Sequence, residues 1–146
     1  GVRIEVVDEK SSIIFEDNIS IGQNLHIISG GEQELRIGKN TTFSANVFIT
    51  NIDHEYSTIE THILEQPLVK NHTKIGENCF IGYGAVIQAG TILGKQCIVG
   101  ANAVVRGKFP DSSVIVGVPA KIVKRYNEKS NTWEKTNKNG EFLDEI

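Results

Sequence analysis

At 146 residues the chain has the length of a single domain. Its formal net charge of −3 and its pI near 5.8 exclude a general nucleic-acid binder, which would carry a basic stripe. No apolar run approaches the roughly 20 residues of a membrane-spanning helix.

Residues 1–12 alternate weakly through Val2, Ile4 and Val6 and then turn polar, which predicts a leading strand that pairs with the first repeat or caps its end. No signal peptide is evident, although the chain starts at Gly1 without a methionine, as a processed or trimmed product would. An apolar residue then returns every sixth position at Phe15, Ile21 and Ile27, with Ile19 and Leu25 on a second beat. Ser29 to Glu34 interrupt this count as a polar, glycine-bearing loop and push the next beat to Ile37. Phe43 and Ile49 resume it, with Thr41 and Val47 between. The largest break comes next, at about 50–68, where no clean six-residue unit can be found.

From Val69 the step is regular again through Ile75, Ile81, Ile87, Leu93, Val99 and Val105. Small residues hold the second beat at Thr73, Cys79, Ala85, Thr91, Cys97 and Ala103, and glycine follows the large residue at Gly76, Gly82, Gly94 and Gly100. A period of six fits neither the 3.6 of a helix nor simple alternation. It fits a short strand and a turn, repeated, with one large and one small side chain inward per repeat. The expected fold is therefore all-β, a parallel β-helix over 13–118 of roughly six coils, one interrupted. Phe109 to Ser113 read as a turn, and Val114 to Val116 as a last strand. After Pro119 the chain becomes charged and asparagine-rich, so 119–146 is expected to cap the solenoid as a short helix or hairpin, with Trp133 packing. Cys79 and Cys97, eighteen residues apart on the small beat, should stack as buried, unreactive thiols in a reducing compartment.

Ile75-Gly76-Glu77-Asn78-Cys79-Phe80, Ile81-Gly82-Tyr83-Gly84-Ala85-Val86 and Val99-Gly100-Ala101-Asn102-Ala103-Val104 resemble repeats of the left-handed β-helix acyltransferases. Gly117-Val118-Pro119-Ala120-Lys121 is similar to the end of the coenzyme A-dependent sugar O-acetyltransferases in that family. Left-handedness comes from the resemblance alone, since parallel crossovers are right-handed in about 98% of cases. The resemblance implies an acetyl-CoA-dependent O-acetyltransferase acting on a carbohydrate. The tail from Arg125 to Trp133 looks more like enzymes that decorate bacterial surface polysaccharides. It further implies a cytoplasmic homotrimer with sites between subunits, no metal and no nucleic-acid partner.

His54 lies in the large break between Asp53 and Glu55. An imidazole titrates near neutral pH and suits a general base toward a hydroxyl, and the family carries its catalytic histidine in such a loop. The resemblance also assigns Asn46, Asp53 and Phe80 to the acceptor side. Asn46 has an equally direct structural role, because asparagine tolerates the left-handed backbone of β-helix corners. Gly82, Tyr83, Ala101 and Arg106 match places that meet the pantetheine arm. Lys121 and Lys124, with Arg125 beside them, would meet the coenzyme phosphates. His26 and His72 read as outward surface residues, and His62 as a loop residue open to either role. Three other readings share the period: an acetyltransferase acting on an antibiotic hydroxyl, a γ-type carbonic anhydrase, and a non-catalytic scaffold. The carbonic anhydrase needs paired histidines five residues apart, whereas the spacings here are eight and ten.

Overall fold

Three parallel sheets wind around one apolar core in a computed structural model that describes residues 1–143. The chain visits them in strict rotation. The first sheet holds Arg3–Val6 (β1), His26–Ser29 (β4), Phe48–Thr50 (β7), Val86–Ile87 (β12) and Val104–Val105 (β15). The second holds Ile13–Phe15 (β2), Leu35–Ile37 (β5), Thr73–Ile75 (β10), Ile92–Leu93 (β13) and Lys108–Phe109 (β16). The third holds Ser20–Ile21 (β3), Thr42–Phe43 (β6), Phe80–Ile81 (β11), Ile98–Val99 (β14) and Ser113–Gly117 (β17). Ala120–Asn127 (β18) and Thr132–Lys135 (β19) then extend the third sheet in antiparallel fashion. The fold is a parallel β-helix closed at its C-terminal end by a hairpin.

The register explains the six-residue beat. Ile27, Ile49, Ile87 and Val105 stack in one column of the first sheet, each almost fully buried. Phe43, Ile81, Val99 and Ile115 do the same in the third. The small beat fills the spaces between: Thr73, Cys79, Ala85, Thr91, Cys97 and Ala103 are all buried. Their threonines keep the core free of unpaired hydroxyls by donating to backbone carbonyls, Thr73 to Thr50 at 3.1 Å and Thr91 to Val105 at 3.0 Å.

Most corners use one residue with left-handed backbone. Asparagine supplies it at Asn18, Asn40 and Asn78 on one edge and at Asn24, Asn46 and Asn102 on another, with φ between 56° and 61°. Stacked corners also bond to each other: the Asn24 amide donates to the Asn46 carbonyl oxygen at 2.9 Å.

Several expectations are corrected. The described residues form five turns rather than six, because the break after Ile49 is not a set of degraded coils. It is one excursion from the corner between β7 and β10, containing the antiparallel pair Ile52–His54 (β8) and Leu68–Lys70 (β9). Val69 therefore lies on that hairpin, half-exposed, and not in the core; the inward beat restarts at Thr73 and Ile75. Phe109 belongs to β16 rather than to a turn. Residues 3–6 pair with β4 along their length and form the first strand of the first sheet. In the C-terminal hairpin Trp133 packs edge-on against Tyr126, with ring centroids 5.7 Å apart. Cys79 and Cys97 are buried; contact with Cys97 and burial push the Cys79 thiol far up, so it stays neutral.

The glycines after the large beat let coils stack at backbone distance. A Cβ at Gly76 would lie 2.4 Å from the carbonyl oxygen of Gly94. Gly76→Ala should thus destabilise the fold by about 1–3 kcal/mol through overpacking against backbone. The check is the denaturant midpoint, with a surface change such as Lys39→Ala moving it by less than about 0.5 kcal/mol.

Candidate active site

The excursion is anchored at its root by Asn51, a fully buried amide. Its Oδ1 accepts from the Gly30 N–H at 2.8 Å, and its Nδ2 donates to Ser29 Oγ at 3.0 Å and to the Gln33 carbonyl at 2.6 Å. Its own carbonyl accepts from the Asn71 N–H at 2.8 Å, so the chain leaves and re-enters the coil at one point. The tip is fixed by Gln66, also buried. Its amide donates to the carbonyls of Thr58 at 3.1 Å and Thr61 at 3.0 Å, and its oxygen accepts from the Thr58 N–H at 3.2 Å. His62 caps the short 3₁₀ turn Ile63–Glu65, its Nδ1 accepting from Leu64 N–H at 3.1 Å. This is the structural one of its two sequence readings.

His54 ends β8 and is exposed. Among the described residues neither of its ring nitrogens has a hydrogen-bond partner. It stands between two depressions. One, of about 570 Å³, is bounded by Glu55, Tyr56, Ser57, Val69 and Arg106. The other, of about 270 Å³, lies against the first sheet and is walled by Ile28, Phe48 and Val86, with Thr50 and Gln88 as polar groups. Asp53 and His54 line both. An accessible imidazole with both nitrogens free, beside apolar and polar walls, can take a proton from a ligand hydroxyl.

The flanking carboxylates do not hold the ring. Asp53 faces Arg106, whose Nη1 lies 3.1 Å from Oδ2 and whose Nη2 lies 3.1 Å from Oδ1. Arg106 Nε also donates to Gln88 Oε1 at 3.2 Å. Glu55 turns into its own loop, where the Ser57 hydroxyl, with the N–H groups of Ser57 and Tyr56, holds its carboxyl below the usual range. Asp53 and Arg106, assigned to two different ligands from the sequence, thus bind each other.

The remaining expected site residues lie elsewhere on the chain. Asn46 is a left-handed corner residue whose amide donates to the Tyr83 hydroxyl at 2.5 Å. Gly82, Tyr83 and Ala101 lie on the turns from the third sheet to the first, at the edge of the first sheet opposite His54. Phe80 projects from the third sheet, partly exposed. Lys121 and Lys124 are exposed on β18 with no ion pair among the described residues. Arg125 bridges the tail and the turn before β17, donating to the carbonyls of Gly140 at 3.3 Å and Asp111 at 3.4 Å. His26 pairs with Glu5 at 2.6 Å, and His72 Nδ1 lies 3.1 Å from the Glu34 carbonyl, in keeping with surface roles. Among the described residues no three His, Cys, Asp or Glu side chains gather to hold a metal ion, and no helix is long and apolar enough to cross a membrane. Sequence reasoning missed Asn51, Gln66 and Gln88, the three amides that hold the site. An asparagine where the beat stops is the one signal that could have pointed to the first.

Residues 72–107 match the bacterial transferase hexapeptide family, six repeats. A protein of Escherichia coli K12 named for O-acetyl transfer in lipopolysaccharide biosynthesis, WbbJ, is 35% identical over 144 residues, covering 92% of this chain and 71% of that protein. Among solved structures, the hexapeptide-repeat acetyltransferase VCA0836 of Vibrio cholerae complexed with acetyl coenzyme A superposes with a TM-score of 0.70. It is 19% identical, over 86% of this chain and 66% of that one. A galactoside acetyltransferase in complex with coenzyme A gives 0.61 at 22% identity, over 90% and 72%. With its repeat and its relative in agreement, the chain belongs to the hexapeptide-repeat acetyltransferases, as an O-acetyltransferase with a left-handed β-helix.

Gln66→Ala should free the tip of the excursion while leaving the coils intact. Amides of 55–67 are expected to exchange faster with solvent by the equivalent of about 1–3 kcal/mol, the loss from breaking a buried side-chain network. Exchange in β10 to β14 should not change.

Proposed function

We propose that the chain transfers an acetyl group from acetyl-CoA to a hydroxyl of a carbohydrate, with His54 as general base. The observation that carries this reading is the exposed imidazole of His54, unpartnered among the described residues, at the mouth of two depressions on a braced hairpin. A sugar of a bacterial surface polysaccharide is the favoured acceptor, because the E. coli relative is named for lipopolysaccharide biosynthesis.

The chemistry is direct. The donor supplies an acetyl thioester. His54 accepts the proton of the acceptor hydroxyl, whose oxygen attacks the thioester carbonyl. The C–S bond then breaks, and the imidazolium returns its proton to the departing thiolate. Ester and free thiol are the products, and no acyl-enzyme forms. The two cysteines are buried and take no part.

The coenzyme contacts are assigned to Gly82, Tyr83 and Ala101 for the arm and to Lys121 and Lys124 for the phosphates. Two lysines on one strand, with no ion pair among the described residues, fit an anionic ligand. Gly82, Tyr83 and Ala101 lie at the edge of the first sheet opposite His54, which supports a homotrimer in which one chain's histidine meets its neighbour's coenzyme groups. Asn46 and Phe80 are kept on the acceptor side in that assembly. The working compartment is proposed to be the cytoplasm, where acetyl-CoA is made.

The test is thiol release from acetyl-CoA over a panel of sugars, nucleotide sugars and drug alcohols. His54→Ala should lose about 10²–10⁴-fold in kcat, the usual contribution of a positioned base, while still binding coenzyme A. An unchanged rate would remove His54 from the role.

A further inference from the structure

Asp53 and Arg106 are fifty-three residues apart in sequence and come from different parts of the fold. Asp53 is the middle residue of β8 on the excursion, next to His54. Arg106 directly follows β15 on the fifth turn, and Gln88 directly follows β12 on the fourth; β12 and β15 run in register, so the two side chains sit one above the other. The contact is a two-pronged fork from guanidinium to carboxylate, with the third N–H of the guanidinium fixed by Gln88.

We propose that Arg106 is a positioning residue that, held by Gln88, grips Asp53 and so fixes the strand end from which His54 projects. The inference rests on the reading of His54 as the base. The hairpin needs such a tie. β8 and β9 pair only with each other, and a two-stranded ribbon is marginally stable alone. The root is held to the coils by Asn51, and Gln66 ties the tip to its own loop; at the His54 end, among the described residues, the bond to the coils is that of Asp53 to Arg106. Successive strand side chains leave on opposite sides, so gripping Asp53 leaves the imidazole uncovered.

The clamp also sets the charge that His54 experiences. On its own strand the ring has Asp53 and Glu55 as neighbours, and Glu55 is turned into its loop by Ser57. Lys70 on β9 faces Asp8 at 3.7 Å. From the coils the facing charge is Arg106, which neutralises Asp53. An exposed ion pair of this kind contributes little to global stability, but a shift of about 1 Å in a reacting group can lower a rate by about 10²-fold.

The experiment compares Arg106→Gln, Arg106→Lys and Asp53→Asn with the parent chain, using kinetics, coenzyme binding and amide exchange. Arg106→Gln should lower kcat by about 10²-fold, leave the KM for acetyl-CoA and the melting temperature unchanged, and speed exchange at 52–54 and 68–70. Its bare Asp53 carboxylate favours the imidazolium, so the acid limb of kcat/KM moves to higher pH. Asp53→Asn leaves the Arg106 cation uncompensated, disfavours the imidazolium, and moves the same limb to lower pH. Arg106→Lys should restore the pH limb without restoring the full kcat, because it keeps the charge and loses the fork. A raised acetyl-CoA KM at constant kcat would overturn the proposal and make Arg106 a coenzyme ligand. Unchanged hairpin exchange with both limbs in place would overturn it as well. The exchange data do not depend on turnover, so they decide the clamp even if His54→Ala shows that another group is the base.

Discussion

Everything in this molecule depends on coils meeting in register at backbone distance. A two-residue strand has almost no pairing energy of its own, and it persists because the strands of the neighbouring turns supply both hydrogen-bonding edges. The same contact dictates side-chain size. Glycine is required where one coil lies on the next, as at Gly38, Gly76 and Gly94, and a left-handed residue shapes most corners. The resulting body is a rigid ruler whose outward positions can be changed while its inward ones cannot.

The candidate site lies where that rule is suspended. The chain leaves the body between β7 and β10, and three side-chain amides and one ion pair replace the missing coil contacts. Asn51 closes the root, Gln66 the tip, and Gln88 with Arg106 the end that carries Asp53 and His54. Each is a polar device at a place where an apolar core could not reach. The imidazole is consequently held by its backbone, and among the described residues no carboxylate or other group bonds its ring nitrogens.

The body was legible in the sequence because its physics is periodic. Ile75, Ile81, Ile87, Leu93 and Val99 name the core columns directly, and the corner asparagines and post-beat glycines obey the same count. The coil number was not legible, because the stretch from Ile49 to Val69 is close in length to three repeats, and length alone does not separate a turn of the solenoid from an excursion. Val69 shows the ambiguity in one residue: an apolar side chain at the right interval that lies on a hairpin surface. The position of His54 was readable from its place in the break. The partners of Asp53 and Arg106 were not, since their meeting depends on how far the hairpin folds back across two turns, and no local pattern encodes that.

The closure between Asn51 and Asn71 has a bearing on how such chains diversify. Because exit and return share one hydrogen bond, the coils above and below are indifferent to what lies between. Doubling the length of a segment closed in this way adds only about 0.6 kcal/mol of chain entropy. Insertions, deletions or wholesale exchange at this point therefore leave the solenoid's stability nearly untouched while replacing the walls around the histidine. The corner acts as a splice point, where a new surface can arise without a new fold.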